Sequence, residues 1–186
     1  MNDQQKKTLL KVAKDSLAAA VDGRTAEKQT SDDPELNKQC GCFVTYKNNE
    51  QLRGCIGHFT SDKPLIELVS DMAATSATQD PRFQNDRITE DELSQIDIEI
   101  SALTPLKRTD DPLSLRLGID GIYIVKGYQS GCLLPQVVTE TGWNAAEFLS
   151  YCSEHKAGLA PDAWKDDQTE VYLFSADVFG ARFDEI

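Results

Sequence analysis

The sequence predicts an α+β fold, with helices packed on an antiparallel or mixed sheet. Three observations carry that expectation. Two stretches have the composition of β-hairpins, and hairpins force antiparallel pairing. Apolar residues recur at helical spacing in three segments. The resulting order, helix, hairpin, helix, strand, hairpin, helix, strand, lacks the regular alternation of a doubly wound fold.

Residues 3–22 form the first expected helix. Leu9, Leu10, Ala13, Leu17, Ala20 and Val21 make one apolar face, and Gly23 is its stop. The polar stretch that follows has no periodicity, so residues 1–39 are expected to be a helix and a mobile loop. The first hairpin is "CGCFVTYKNNEQLRGCIGHF", with β-formers at Phe43 to Tyr46 and a turn at Asn48–Asn49. "DKPLIELVSDMAATSATQ" is the next helix, with Pro64 in its first turn. Thr89 and Glu92 supply a capping box for a short helical turn. Ile96, Ile98, Ile100 and Ala102 alternate with Asp97, Glu99 and Ser101, the signature of a half-buried strand. "GIYIVKGYQSGCLLPQV" is the second hairpin, its turn bracketed by Gly127 and Gly131. Asn144, Glu147 and Gly158 frame the last helix, and "EVYLFSADVF" closes the chain as a strand.

A chain of 186 residues can bury one proper core and is expected to form a single domain. The net charge of -12 argues against nucleic acid and anionic membranes as partners, and no basic run offsets it. No apolar run is long enough to span a membrane, and the first residues lack a signal-peptide core. A cytoplasmic location is therefore expected. The five cysteines are then expected to be free thiols.

The chemistry concentrates in "QLRGCIGHF", residues 51–59. Cys40, Cys42, Cys55 and His58 have the right atoms for zinc, but Cys55 and His58 point to opposite faces of a strand. A loop centred on Asn48–Asn49 pairs Thr45 with Leu52 and sets Cys42 across from Cys55, within reach of a disulfide. Two reduced core thiols are the other reading of that pair. Cys55 is also a candidate nucleophile, because Arg53 shares its strand parity and a cation beside a thiol promotes the reactive thiolate. Gly54 and Gly57 either admit a ligand to the backbone or permit tight packing. Arg53, Arg82 and Lys156 are candidates for an anion pocket, since guanidinium suits carboxylate and phosphate. His155, in the last turn of its helix, suits a surface or capping role. No metal site and no cofactor is assigned.

Six stretches, "LRGCIG", "PLIELV", "DPRF", "IEISALTP", "GIYIVKGYQSGCLLPQV" and "KAGL", occur in an order that resembles the AMMECR family. They cover about residues 40–180, the part expected to form the core domain. The resemblance implies an α+β fold with an antiparallel sheet and two subdomains. It implies a cytosolic archaeal or bacterial protein similar to component A of the AmmeMemoRadiSam system. Its companions there are a Memo-like protein and a radical SAM protein. The positions matching the family's motifs are Arg53, Cys55, Asp80, Arg82, Gln136 and Lys156, while Cys42 and His58 depart from its usual residues. The resemblance supplies no reaction.

Two functions stay open at this point. One is a thiol-dependent enzyme or enzyme subunit, with Cys55 reacting and Arg53 and Arg82 gripping a small anionic molecule. Gly54, Gly57, Asp80, Gln136 and Lys156 would complete that substrate site. The other is a non-catalytic module that docks a partner at the LRGCIG groove.

Overall fold

The structure is a computed structural model. It describes the backbone of residues 1–186 and every side chain except those of Thr139 and Glu140. The fold is mixed α+β, with an antiparallel sheet and helices packed against it. The chain divides into two units: Met1–Leu103 with Asp177–Ile186, and Thr104–Ala176 between them.

In the first unit, helix α1 (Asp3–Val21) opens with an Asn2–Gln5 capping box. Strands β1 (Cys42–Asn48) and β2 (Gln51–His58) form the first hairpin. Helix α2 (Leu65–Thr78) follows, and β3 (Ile96–Leu103) returns to pair with β1, so the order is β2-β1-β3 with β2 at the edge. Cys42, Val44 and Tyr46 of β1 and Ile96, Ile98 and Ile100 of β3 bury one sheet face in a shared core with Leu9, Leu17, Val69 and Ala73 of the two helices. Each of the valine, leucine and isoleucine side chains among these contributes about 1.5–3 kcal/mol by leaving water. Polar groups tie α2 to the same face. Tyr46 donates its hydroxyl to the Ala73 carbonyl at 3.0 Å. Ser76 Oγ donates to the Val44 carbonyl and accepts from the Ile56 N–H, both at 2.8 Å.

Three local expectations change here. The hairpin turns at Asn49–Glu50, both at positive φ, and not at Asn48–Asn49. A bulge between Tyr46 and Lys47 then adds a residue to β2. Together they set Thr45 across from Cys55 and Cys42 across from His58. Cys42 therefore lies on the core face and Cys55 on the other, the expected Cys42–Cys55 juxtaposition does not exist, and both are free thiols. Cys55 also lies on the opposite face from the Cys42–His58 pair, so the four candidate zinc ligands do not converge. Pro64 serves as the N-cap of α2, in extended conformation, and not as a residue of its first turn.

The second unit contains β4 (Lys107–Thr109), β5 (Asp120–Lys126), β6 (Gln129–Leu133), α3 (Gln136–Thr141) and α4 (Ala145–Tyr151). Strand β7 (Glu170–Arg182) gives its first half to this unit, where β4 and β5 flank it. The second hairpin turns at Gly127, with positive φ, while Gly131 lies inside β6. Residues 136 and 137 begin α3 and are not hairpin, because Pro135 ends the strand. The last helix starts at its Asn144–Glu147 capping box but widens into a π-turn over Cys152–Lys156 before Gly158 closes it at positive φ. Ile122, Ile124, Phe148 and Leu149 are the fully buried centre of this unit's core.

Candidate functional site

Edge strand β2 carries the LRGCIG residues, and an edge leaves backbone groups to be satisfied. The "DPRF" turn does this at Cys55. Asp80 accepts the Cys55 N–H through Oδ2 at 2.9 Å, and Arg82 Nη2 donates to the Cys55 carbonyl at 3.1 Å. Asp80 and Arg82 are themselves joined by a fork, Nε to Oδ1 at 2.9 Å and Nη2 to Oδ2 at 2.6 Å. Asp80 also accepts the Arg82 N–H as the cap of a 3-10 turn over Pro81–Phe83. The two motifs thus form one clamp that grips the Cys55 peptide by both its donor and its acceptor.

Electrostatics follow this geometry. The Asp80 side chain is 1 % exposed, yet its carboxyl is held down at about 2. The Arg82 hydrogen bond outweighs the burial that would raise it, and the Cys55 and Arg82 N–H groups add to the lowering. Arg82 is pushed up, first by its hydrogen bond to Asp80 and, after burial's opposing effect, also by the Cys55 sulfur. Its side chain is 54 % exposed, and no hydrogen bond among the described residues uses its Nη1.

The Cys55 side chain is half-buried. Thr45, opposite it on β1 and buried, donates its hydroxyl to Sγ at 3.1 Å. The thiol therefore has a hydroxyl donor, and the carbonyl of the same residue holds the Arg82 guanidinium. Burial pushes the thiols of Cys40, Cys42 and Cys152 up, and that of Cys132 up to about 11.

Arg53 is placed otherwise than Arg82. Its side chain is 12 % exposed and spends its donors internally. Nε and Nη2 fork onto Glu92 at 3.2 and 2.8 Å, Nη1 reaches Asp86 at 2.7 Å, and Nη2 also meets the Arg87 carbonyl. Burial acts to raise Glu92, but Arg53, the Thr89 N–H and Asn48 together hold it below its ordinary value. Gly54 and Gly57 are filled from within. A Cβ at Gly54 would lie 2.3 Å from the Ser76 carbonyl oxygen, and one at Gly57 2.4 Å from the Phe43 ring and the Cys42 carbonyl oxygen. Tight packing, not room for a ligand, occupies both. His58 is exposed and lines a groove of about 660 Å³ with Lys63, Asp71, Met72 and Thr75.

Gln136 and Lys156 belong to the second unit. Gln136 starts α3 and is half-buried, and Lys156 ends the π-turn and is exposed. Gly131 lets β6 press against that turn, where an added Cβ would lie 2.3 Å from the Ala157 nitrogen. Lys156 partly offsets the burial that raises the Cys132 thiol. His155 is exposed and stacks on Tyr151, with ring centroids 4.4 Å apart, as a surface residue.

A model of the AMMECR1 family matches residues 10–179. The chain belongs to the AMMECR1 family. An AMMECR1-family relative from Methanothermobacter thermautotrophicus is 40% identical over 181 residues, covering 93% of this chain and 92% of its own. One from Thermococcus onnurineus is 39% identical over 194 residues, covering 98% and 93%. The crystal structure of the uncharacterized protein PH0010 from Pyrococcus horikoshii is similar across 100% of this chain and 95% of that one, with a TM-score of 0.87 and 35% identity.

Sequence reasoning missed Thr45, Glu92 and Asp86 as partners of the candidate residues. Thr45 is found only once the bulge resets the hairpin register. Glu92 was visible as a capping residue, and it fills that role while also receiving Arg53.

Proposed function

We propose that this AMMECR1-family protein is a thiol-dependent enzyme, or the thiol-bearing subunit of one. Cys55 is the reacting group, and Arg82 meets negative charge carried or developed by a small molecule. One observation carries the reading: the Cys55 sulfur accepts the Thr45 hydroxyl at 3.1 Å, and a guanidinium with a donor to spare is bonded to the carbonyl of the same residue. Asp80 positions both Cys55 and Arg82. Arg53 acts on the strand through Glu92 and does not grip the substrate.

A pair of alkylating probes tests this. Iodoacetate is anionic and iodoacetamide is neutral, so their rate ratio at one thiol reports a neighbouring cation. At Cys55, read by peptide mapping, the ratio exceeds that of N-acetylcysteine at equal pH and ionic strength, and Arg82→Met removes the excess. A ratio equal to that of the free thiol contradicts the assignment.

A second reading rests on the groove of about 660 Å³ at the end of the LRGCIG strand, between His58 and Thr75. In it the protein is a docking module for a partner such as a Memo-like or radical SAM protein. Cys55→Ala separates the two. Partner binding at wild-type strength with loss of turnover supports the enzyme, and a Cys55→Ala variant with every wild-type property supports the module.

A further inference from the structure

We infer that the electrophile met by Cys55 is a hydroperoxide, an inference that rests on the thiol-enzyme reading above and names its substrate class. What surrounds the sulfur, and what does not reach it, selects this electrophile. Acyl transfer to a thiol calls for a base beside it and for N–H donors that hold an oxyanion. The nearest histidine in sequence, His58, pairs with Cys42 of the core face and lines the groove beside α2, while Cys55 pairs with Thr45 of the opposite face. The Cys55 N–H, the natural oxyanion donor, is taken by Asp80 at 2.9 Å. What remains beside Cys55 is the Thr45 hydroxyl, 3.1 Å from the sulfur, and the Arg82 guanidinium, bonded to the Cys55 carbonyl at 3.1 Å and with its Nη1 unspent. Displacement at a peroxide oxygen needs just these groups. It requires a thiolate and donors for the charge that grows on the departing oxygen, with no base acting on the substrate.

The step balances without a metal or cofactor. Cys55 ionises, giving its proton to water. The sulfur lone pair attacks the terminal oxygen of ROOH, an S–O bond forms and the O–O bond breaks. The departing RO⁻ leaves with the bonding pair, stabilised by Arg82, and takes a proton from water. Cys55 is oxidised by two electrons to the sulfenic acid, and the peroxide is reduced by two electrons to ROH. Cys42 faces His58 and not Cys55, so the return to the thiol uses two equivalents of an external small thiol. The first forms a mixed disulfide and releases water, and the second releases Cys55.

The test compares two rates on the intact protein. Oxidation of Cys55 by hydrogen peroxide or tert-butyl hydroperoxide is followed by trapping the sulfenic acid with dimedone and mapping the peptide. Alkylation by iodoacetamide is measured alongside, and each rate is divided by that of N-acetylcysteine. The expected result is an acceleration for peroxide at least about tenfold above that for alkylation, because the donors act on the departing oxygen. Thr45→Val, which leaves the Asp80–Arg82 clamp intact, lowers the peroxide rate about 10- to 100-fold and the alkylation rate far less. Equal accelerations for both reagents overturn the hydroperoxide assignment while the reactive thiol stands. No acceleration for either overturns both. The wild-type ratio decides the matter even if a variant fails to fold.

Discussion

At Cys55, the proposed reactivity rests on three elements: Thr45 from β1, Asp80 and Arg82 from the turn after α2, and the thiol itself from β2. Asp80 bears most of the structural load, because it binds a backbone N–H and a guanidinium from a buried position. Asp80→Asn is expected to destabilise the protein by about 2 kcal/mol at pH 7, the cost of weakening charge-assisted bonds to partners that stay in place. The pH dependence has a definite sign. The folded value is about 2 against an ordinary 3.8, so the contribution is complete above about pH 4 and fades as pH falls through 2. Urea unfolding of both proteins across that window should show the difference shrinking with acid. A difference that does not vary with pH would place the effect outside the clamp.

The elements show where the sequence was sufficient and where it was not. Helix α1, the alternation of β3 and the two capping boxes at Thr89 and Asn144 are local signals, and each element formed where its signal stood. The register of β1 against β2 depends on the turn centre and one bulge, and neither has a local signal as strong as an Asn-Gly pair. A turn centred on Asn48–Asn49 pairs Thr45 with Leu52 and Cys55 with Cys42, where the structure sets Cys55 across from Thr45. The candidate residues Arg53, Cys55 and Arg82 were visible by type, but the separate duties of the two arginines came only from tertiary placement. Two substitutions test the hairpin. Glu50 has φ 65, costly for a side chain, so Glu50→Gly should stabilise by about 1 kcal/mol, read as a higher melting temperature. Gly54→Ala drives a Cβ to 2.3 Å from a helix carbonyl and should cost about 2–3 kcal/mol or prevent folding. A neutral Gly54→Ala would mean that α2 does not press on β2.

The whole molecule is an acidic member of the AMMECR1 family whose two units have separate apolar cores, one around Leu9, Val44 and Ile98 and one around Ile122 and Phe148. Among the described residues no helix is long and apolar enough to cross a membrane. Phe148→Ala should cost about 3–5 kcal/mol. Hydrogen exchange should show the loss of protection first within residues 104–176, because the cavity opens in that unit's own core. Loss spread evenly over both units would show that they unfold as one.

At every scale the account returns to one sulfur atom. Its most direct test is the rate at which iodoacetamide labels each of the five cysteines in the native protein at neutral pH, mapped by peptide and set beside N-acetylcysteine. The account predicts that Cys55 is labelled faster than the free thiol and far faster than Cys40, Cys42, Cys132 and Cys152, whose thiols burial holds protonated. Labelling of Cys55 no faster than the free thiol would contradict it.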